Sequence, residues 1–229
     1  SEHIEKGSKI LIHGDYDADG ICATALLWEF LYRDLSKHIS KKIDVVPYIP
    51  NRIEQGYGLT KDSLEDVVSL GANLVITVDC GIRDKDIIAE FKDRLDFVVT
   101  DHHQPPDGVF DDLDYPILHQ MFQEKEYPFK EICGTSVAYL LVQGLREHFN
   151  MEVNPLYGLD LVALTTITDI MPLRDVNRVF VKYGLEEIRK GERLGFRMLS
   201  LRAGLDPEDI DVYHLGYVIG PRINAVGRI

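Results

Sequence analysis

SKILIHGDYDADG, residues 8–20, decides how the rest of the chain is read. Ile10, Leu11 and Ile12 form a short apolar run, read as a strand over 8–13. Behind it, residues 18–35 carry Ile21, Ala25, Trp28, Tyr32 and Leu35 at helical spacing. Between the two lies an acidic turn in which His13, Asp15, Asp17 and Asp19 crowd together, with Gly14 and Gly20 permitting a tight turn and close approach of the helix. Carboxylates this close repel one another and destabilise a fold unless positive charge answers them.

The strand–helix pattern then repeats. IDVVPYIP (43–50), NLVITVD (73–79) and DFVVTD (96–101) read as strands. KDSLEDVVSL (61–70) reads as a helix capped by Thr60 and ended by Gly71, and RDKDIIAEFKDRL (83–95) as another. Segment 104–130 is rich in Pro and Asp and reads as a loop with one short strand near YPILH. From 131 onward the spacing predicts helices over 134–149, 156–168, 177–190, 193–203 and 207–218. The fold class is therefore α/β, a parallel β-sheet flanked by helices with a mostly helical C-terminal part. Residues 1–130 form the α/β half and 131–229 the helical half that completes it.

Three of the strands run into acids. The first ends at the cluster just described, the third at Asp79, and the fourth at Asp101-His102-His103. Ligands of open parallel sheets bind beyond the carboxyl ends of the strands, so neighbouring strands would bring these groups to one crevice. Carboxylate and imidazole without thiolate suit Mn²⁺, and also Mg²⁺, Fe or Co, with Mn²⁺ expected and Mg²⁺ the alternative. The number of ligands exceeds the needs of one ion and fits a pair of divalent cations sharing a carboxylate. Asp169, the single acid in the apolar run VALTTITDIMPL (162–173), reads either as a helix-end residue beside Pro172 or as a further ligand, since a lone buried carboxylate is costly.

Composition sets limits. With 25 Lys+Arg against 38 Asp+Glu, the net charge of −13 rules out a general electrostatic grip on polyanions, so any nucleic-acid contact must be local or metal-assisted. No apolar run is long enough for a membrane span. Three scattered cysteines, Cys22, Cys80 and Cys133, fit buried thiols in a reducing, cytoplasmic setting better than a disulfide framework.

These motifs resemble the DHH phosphoesterase superfamily, and within it the RecJ exonucleases. The resemblance rests on HGDYDADG (13–20), VDCG (78–81), TDHH (100–103), CGTSVAYLL (133–141), TDIMPL (168–173) and GPRINAVGR (220–228), in order along nearly the whole chain. It implies a two-metal hydrolase that degrades single-stranded DNA 5′→3′, releasing 5′-mononucleotides in DNA repair and recombination. It also implies one ion on His13, Asp17, Asp79 and Asp169 and another on Asp19, Asp79 and His102, with Asp79 bridging. His103 would lie near the scissile phosphate, and Asp15 and Asp101 would support. The departures are His13, where RecJ members often carry an apolar or aromatic residue, and Thr165 and Thr168, where Gly and Ala are usual. RecJ members continue into a DHH-associated domain and an oligonucleotide-binding fold. The chain accordingly reads as a catalytic core fragment whose repair or replication partners would engage the other domains.

Substrate contacts are expected from Arg52 and Tyr57 in PNRIEQGYGL, and from Arg222, Asn224 and Arg228 in GPRINAVGR. The competing readings are an oligoribonuclease or small-nucleotide phosphatase of the same superfamily, an inorganic pyrophosphatase, and a scaffold with a decayed site. A receiver domain, which also gathers Asp at strand ends, lacks the DHH triplet.

Overall fold

Strand register brings the acidic turns together. In the computed structural model, which describes residues 1–111, 113–122 and 127–227, five parallel strands form one sheet in the order β2-β1-β3-β4-β5. They are β1 (Ile10–Gly14), β2 (Val45–Tyr48), β3 (Leu74–Val78), β4 (Asp96–Thr100) and β5 (Ile117–Leu118). Gly14 stands opposite Val78, and Val78 opposite Thr100. Asp15, Asp79 and Asp101 therefore each follow directly after three strands that stop at one level. The chain leaves β1 for β2 on one side and returns to β3 on the other, so the crevice of the sheet opens between β1 and β3.

Both faces of the sheet are covered, as the apolar strands predict. Ile10, Ile12, Leu74, Ile76 and Val78 point into one core, and Leu11, Val75, Phe97 and Val99 into another. The second core is closed by α5 (Lys61–Ser69) and α6 (Lys85–Phe91). The first, larger core is closed by α2 (Ala18–Glu29), α7 (Gly134–His148), α8 (Leu159–Thr168), α9 (Asp175–Arg189) and α10 (Leu194–Arg202). It takes residues from both halves of the chain, Ile10 and Leu26 beside Val142 and Val162. The short helices α1 (Glu2–Lys6), α3 (Ser36–His38) and α4 (Arg52–Gln55) lie near the N-terminal half, and α11 (Gly220–Val226) ends the described chain.

Local chemistry sets the boundaries. Thr60 closes a capping box with Ser63, and Gly71 adopts a left-handed conformation at φ 75° after α5. The helix expected over 83–95 is shorter at both ends: the Asp84 carboxylate accepts from Leu59 N–H beside the turn at 83–84, and after Phe91 the chain turns, with Arg94 N–H and Leu95 N–H both donating to the Phe91 carbonyl. The helix expected over 207–218 is split. Asp206 caps a single 3₁₀ turn at Pro207–Asp209, Ile210 is extended, and Asp211 accepts from His214 N–H to restart a helix that runs through a wide turn, His214–Ile219, into α11. All three cysteines are buried free thiols. Among the described residues no helix is long and apolar enough to cross a membrane.

The contact between α8 and α9 is close enough to demand glycine. A Cβ on Gly184 would lie 2.2 Å from the Leu159 carbonyl oxygen and 2.4 Å from Ala163 Cβ. Overpacking of this kind costs about 1–3 kcal/mol, so Gly184→Ala is expected to lower the melting temperature by roughly 3–10 °C, read by calorimetry. An unchanged melting temperature would show that the two helices are not packed this tightly.

Candidate metal centre

The turn after β1 places its acids by backbone hydrogen bonding. Asp17 is the N-cap of α2, its carboxylate accepting from Asp19 N–H and Gly20 N–H at 2.9 and 3.0 Å. Gly20 has no room for a side chain, because a Cβ there would sit 2.5 Å from the backbone of Asp15. Asp19 reaches across to the start of α7, where its carboxylate accepts from Gly134 N–H (2.6 Å), Thr135 N–H (2.8 Å) and Thr135 Oγ1 (2.6 Å). The positive end of α7 thus holds a carboxylate from α2 in place of its own cap.

Asp79 is held differently. Its backbone is left-handed at φ 60°, a region that apart from glycine mainly asparagine and aspartate enter and one that clusters at functional sites. Its side chain is buried, and Oδ1 has no hydrogen-bond partner. Burial first, then Asp19 and Asp17, push its carboxyl well above the usual carboxylate range. Asp15 Oδ1 is also buried without a partner, and burial raises that carboxyl to about 6. Asp169 follows the last residue of α8, at the negative end of the helix, where a carboxylate is disfavoured. Its Oδ2 has no partner, and burial with Asp19 and Asp17 nearby raises it to about 7. Ile170, left-handed at φ 56° and exposed, turns the chain away immediately after it.

The DHH triplet divides its labour. Asp101 accepts from Ile82 N–H, His102 N–H and His103 N–H, and pairs with His103 Nδ1 at 2.7 Å. Burial acts to raise its pKa, but these partners outweigh burial and hold it below the usual value. His102 bonds the Ile132 carbonyl through Nδ1 at 2.9 Å. Its Nε2 then faces Asp79 at 3.2 Å, Asp169 at 3.7 Å and Asp19 at 3.8 Å. One ring nitrogen tied to a carbonyl and the other turned toward carboxylates is the arrangement of a metal-binding histidine. His103 is partly exposed, near the Tyr57 hydroxyl at 3.3 Å, and its bond to Asp101 raises its pKa.

Ligand atoms converge in three groups, each within 4.8 Å: Asp79, His102 and His103; Asp19, His102 and Asp169; Asp15, Asp17 and Asp79. Asp79 and His102 each belong to two. Asp169 is thus grouped with Asp19 and His102, rather than with Asp17 as the resemblance implies, and Asp15 stands among the candidate ligands. His13 is fully buried, with Nδ1 3.8 Å from Cys80 Sγ and Nε2 without a partner, and burial lowers its pKa to about 4. It enters none of the three groups. Three buried carboxylate oxygens without hydrogen bonds, on Asp15, Asp79 and Asp169, fit oxygen-loving divalent cations.

At the rim, Arg52 stacks over the Tyr16 ring at 4.8 Å, and Tyr16 meets Tyr57 edge-on at 6.4 Å. Arg222 is exposed, and its Nη1 donates to the Val218 carbonyl. The Asn224 side-chain carbonyl accepts from Ala18 N–H at 2.7 Å, so it serves the start of α2 and leaves only its amide nitrogen for a ligand. Arg228 lies outside the described residues. Sequence reasoning missed the braces of the triplet: Gln120 donates to the His102 carbonyl and His119 bonds that of His103. The only hint of them is a His-Gln pair directly after the short fifth strand.

Comparison with known proteins agrees with this arrangement. The DHH family, N-terminal domain, matches residues 9–166. The single-stranded-DNA-specific exonuclease RecJ of Bacillus subtilis is 37% identical over 99% of this chain and 27% of its own length. A crystal structure of exonuclease RecJ bound to manganese superposes with a TM-score of 0.80 at 34% identity, over 99% of this chain and 55% of that one. RecJ of Thermus thermophilus in complex with Mg²⁺ gives 0.61 at 30% identity, over 99% of this chain and 27% of that one. The chain therefore spans between about a quarter and just over half the length of these relatives. By the family match over most of its length, with the triplet and acidic turns at the strand ends, the chain belongs to the DHH family.

Proposed function

We propose that this chain is the catalytic core of a RecJ-type exonuclease that hydrolyses single-stranded DNA 5′→3′ with divalent cations, Mn²⁺ first and Mg²⁺ second. The observation that carries the proposal is the set of buried carboxylate oxygens left without donors beside His102 Nε2. The names of the RecJ relatives, and the manganese and magnesium in their structures, support the same reading.

Asp15, Asp17 and Asp79 would hold one cation and Asp19, His102 and Asp169 the other, with Asp79, which is also grouped with His102, between them. Bound there, the pair would lower the pKa of an attacking water and neutralise charge on the phosphoryl oxygens. The chain's own residues do the rest. Asp101 fixes the His103 ring through Nδ1, which places the imidazole to pass a proton toward the leaving oxygen. Arg52, Arg222 and the Asn224 amide supply donors for phosphate, and Tyr16 and Tyr57 offer ring faces to bases. The proposed setting is cytoplasmic DNA repair and recombination, as for an exonuclease of this type.

With Mn²⁺, the protein is expected to release mononucleotides from a 5′-labelled single strand faster than it cleaves dinucleotides. Asp79→Asn, which keeps the shape, should lower kcat by more than the roughly 10–100-fold typical of a supporting residue. Full activity in that variant would defeat the two-cation scheme.

The metal-free protein should also show its crowding in its pH dependence. Asp15 and Asp169 have folded pKa values above their ordinary value of 3.8, so their ionisation opposes folding, and stability is lost as pH rises through about 6–7. His13, depressed to about 4, works the other way below its ordinary 6.5 and offsets part of the gain on acidification. In EDTA the melting temperature should be higher at about pH 5.5 than at about pH 8, and Mn²⁺ should raise it more at the higher pH. An equal Mn²⁺ shift at both values would mean that these carboxylates do not bind the ion.

A further inference from the structure

We propose that Arg83 is a substrate-binding residue that takes a second phosphate of the strand, next to the one being cut. The inference rests on the exonuclease reading above. Tyr57, Arg83, Asp84, Asp101 and His103 line a cleft of about 150 Å³ that opens beside the metal centre. Arg83 is exposed on the turn between β3 and α6, four residues after Asp79. Its Nε and Nη2 donate to the Gln104 carbonyl at 3.3 and 3.2 Å, which ties the guanidinium to the residue directly after the triplet.

Three observations favour a phosphate. Arg83 makes no ion pair among the described residues, and its Nη1 carries no hydrogen bond there. The two acids of the cleft are already engaged: Asp101 takes backbone N–H groups and His103, and Asp84 accepts from Leu59 N–H at 2.8 Å. The neighbouring Lys85 is turned to the Asp111 carbonyl and does not compete. A guanidinium anchored by one edge and open on the other offers planar, charge-assisted donors that match a phosphate oxygen. A strand whose scissile phosphate lies against His103 would bring its adjacent phosphate to this cleft.

The test is binding of a fluorescent oligothymidylate with cleavage-resistant phosphorothioate linkages, in Mn²⁺, across a salt series. Arg83→Ala is expected to weaken binding by about 10–100-fold and to flatten the slope of log affinity against log salt by about 0.7, the signature of one lost phosphate contact on a single strand. Arg83→Lys should keep the slope and recover part of the affinity. On cleavable DNA, Arg83→Ala should raise KM with kcat nearly unchanged, and the melting temperature should stay that of the wild type. An unchanged slope, or a loss of binding matched by a loss of thermal stability, would overturn the role of Arg83. Failure of the wild type to bind single strands would overturn the exonuclease reading and this inference together.

Discussion

Repulsion among carboxylates is the constraint on which the site depends. Parallel strands ending at one level deliver Asp15, Asp79 and Asp101 to the same edge, and the turn after β1 adds Asp17 and Asp19. The fold answers part of this charge with backbone N–H groups. Asp17 takes those of α2, Asp19 those of α7, and Asp101 those of its own loop and of Ile82. Asp15, Asp79 and Asp169 receive no such answer on at least one buried oxygen. The division separates carboxylates held by backbone N–H groups from carboxylates with a buried oxygen that no protein group answers.

Much of this was legible in the sequence, for a physical reason. Apolar strands with acidic ends and helices with caps are local patterns, and Thr60, Gly71 and the three acidic turns sit where those patterns place them. Register is not local. Nothing in the spacing of Gly14, Val78 and Thr100 says that they are aligned; the ladder aligns them. The pairing of Asp169 with His102, the use of Asn224 at the start of α2, and the bracing by His119 and Gln120 depend on residues far apart in the chain. The split helix after Pro207 was missed because two caps, Asp206 and Asp211, stand five residues apart inside an otherwise helical stretch.

Asp19 also joins the two halves of the molecule. It belongs to α2, yet its oxygens hold the first N–H groups of α7. The same carboxylate lies 3.8 Å from His102. Charge at the crevice and packing of the helical half are therefore linked through one side chain, and the larger core beneath it draws on both halves.

The left-handed backbone at Asp79 narrows what evolution can place there. Asparagine and glycine tolerate that conformation, but neither carries a charge; glutamate keeps the charge, but adds a methylene in a fully buried position and lacks the short side chain that favours such a turn. Drift toward a chemically similar residue is thus closed by shape, and drift toward a conformationally similar one is closed by charge. The position thus couples a backbone requirement to a charge requirement, and aspartate meets both.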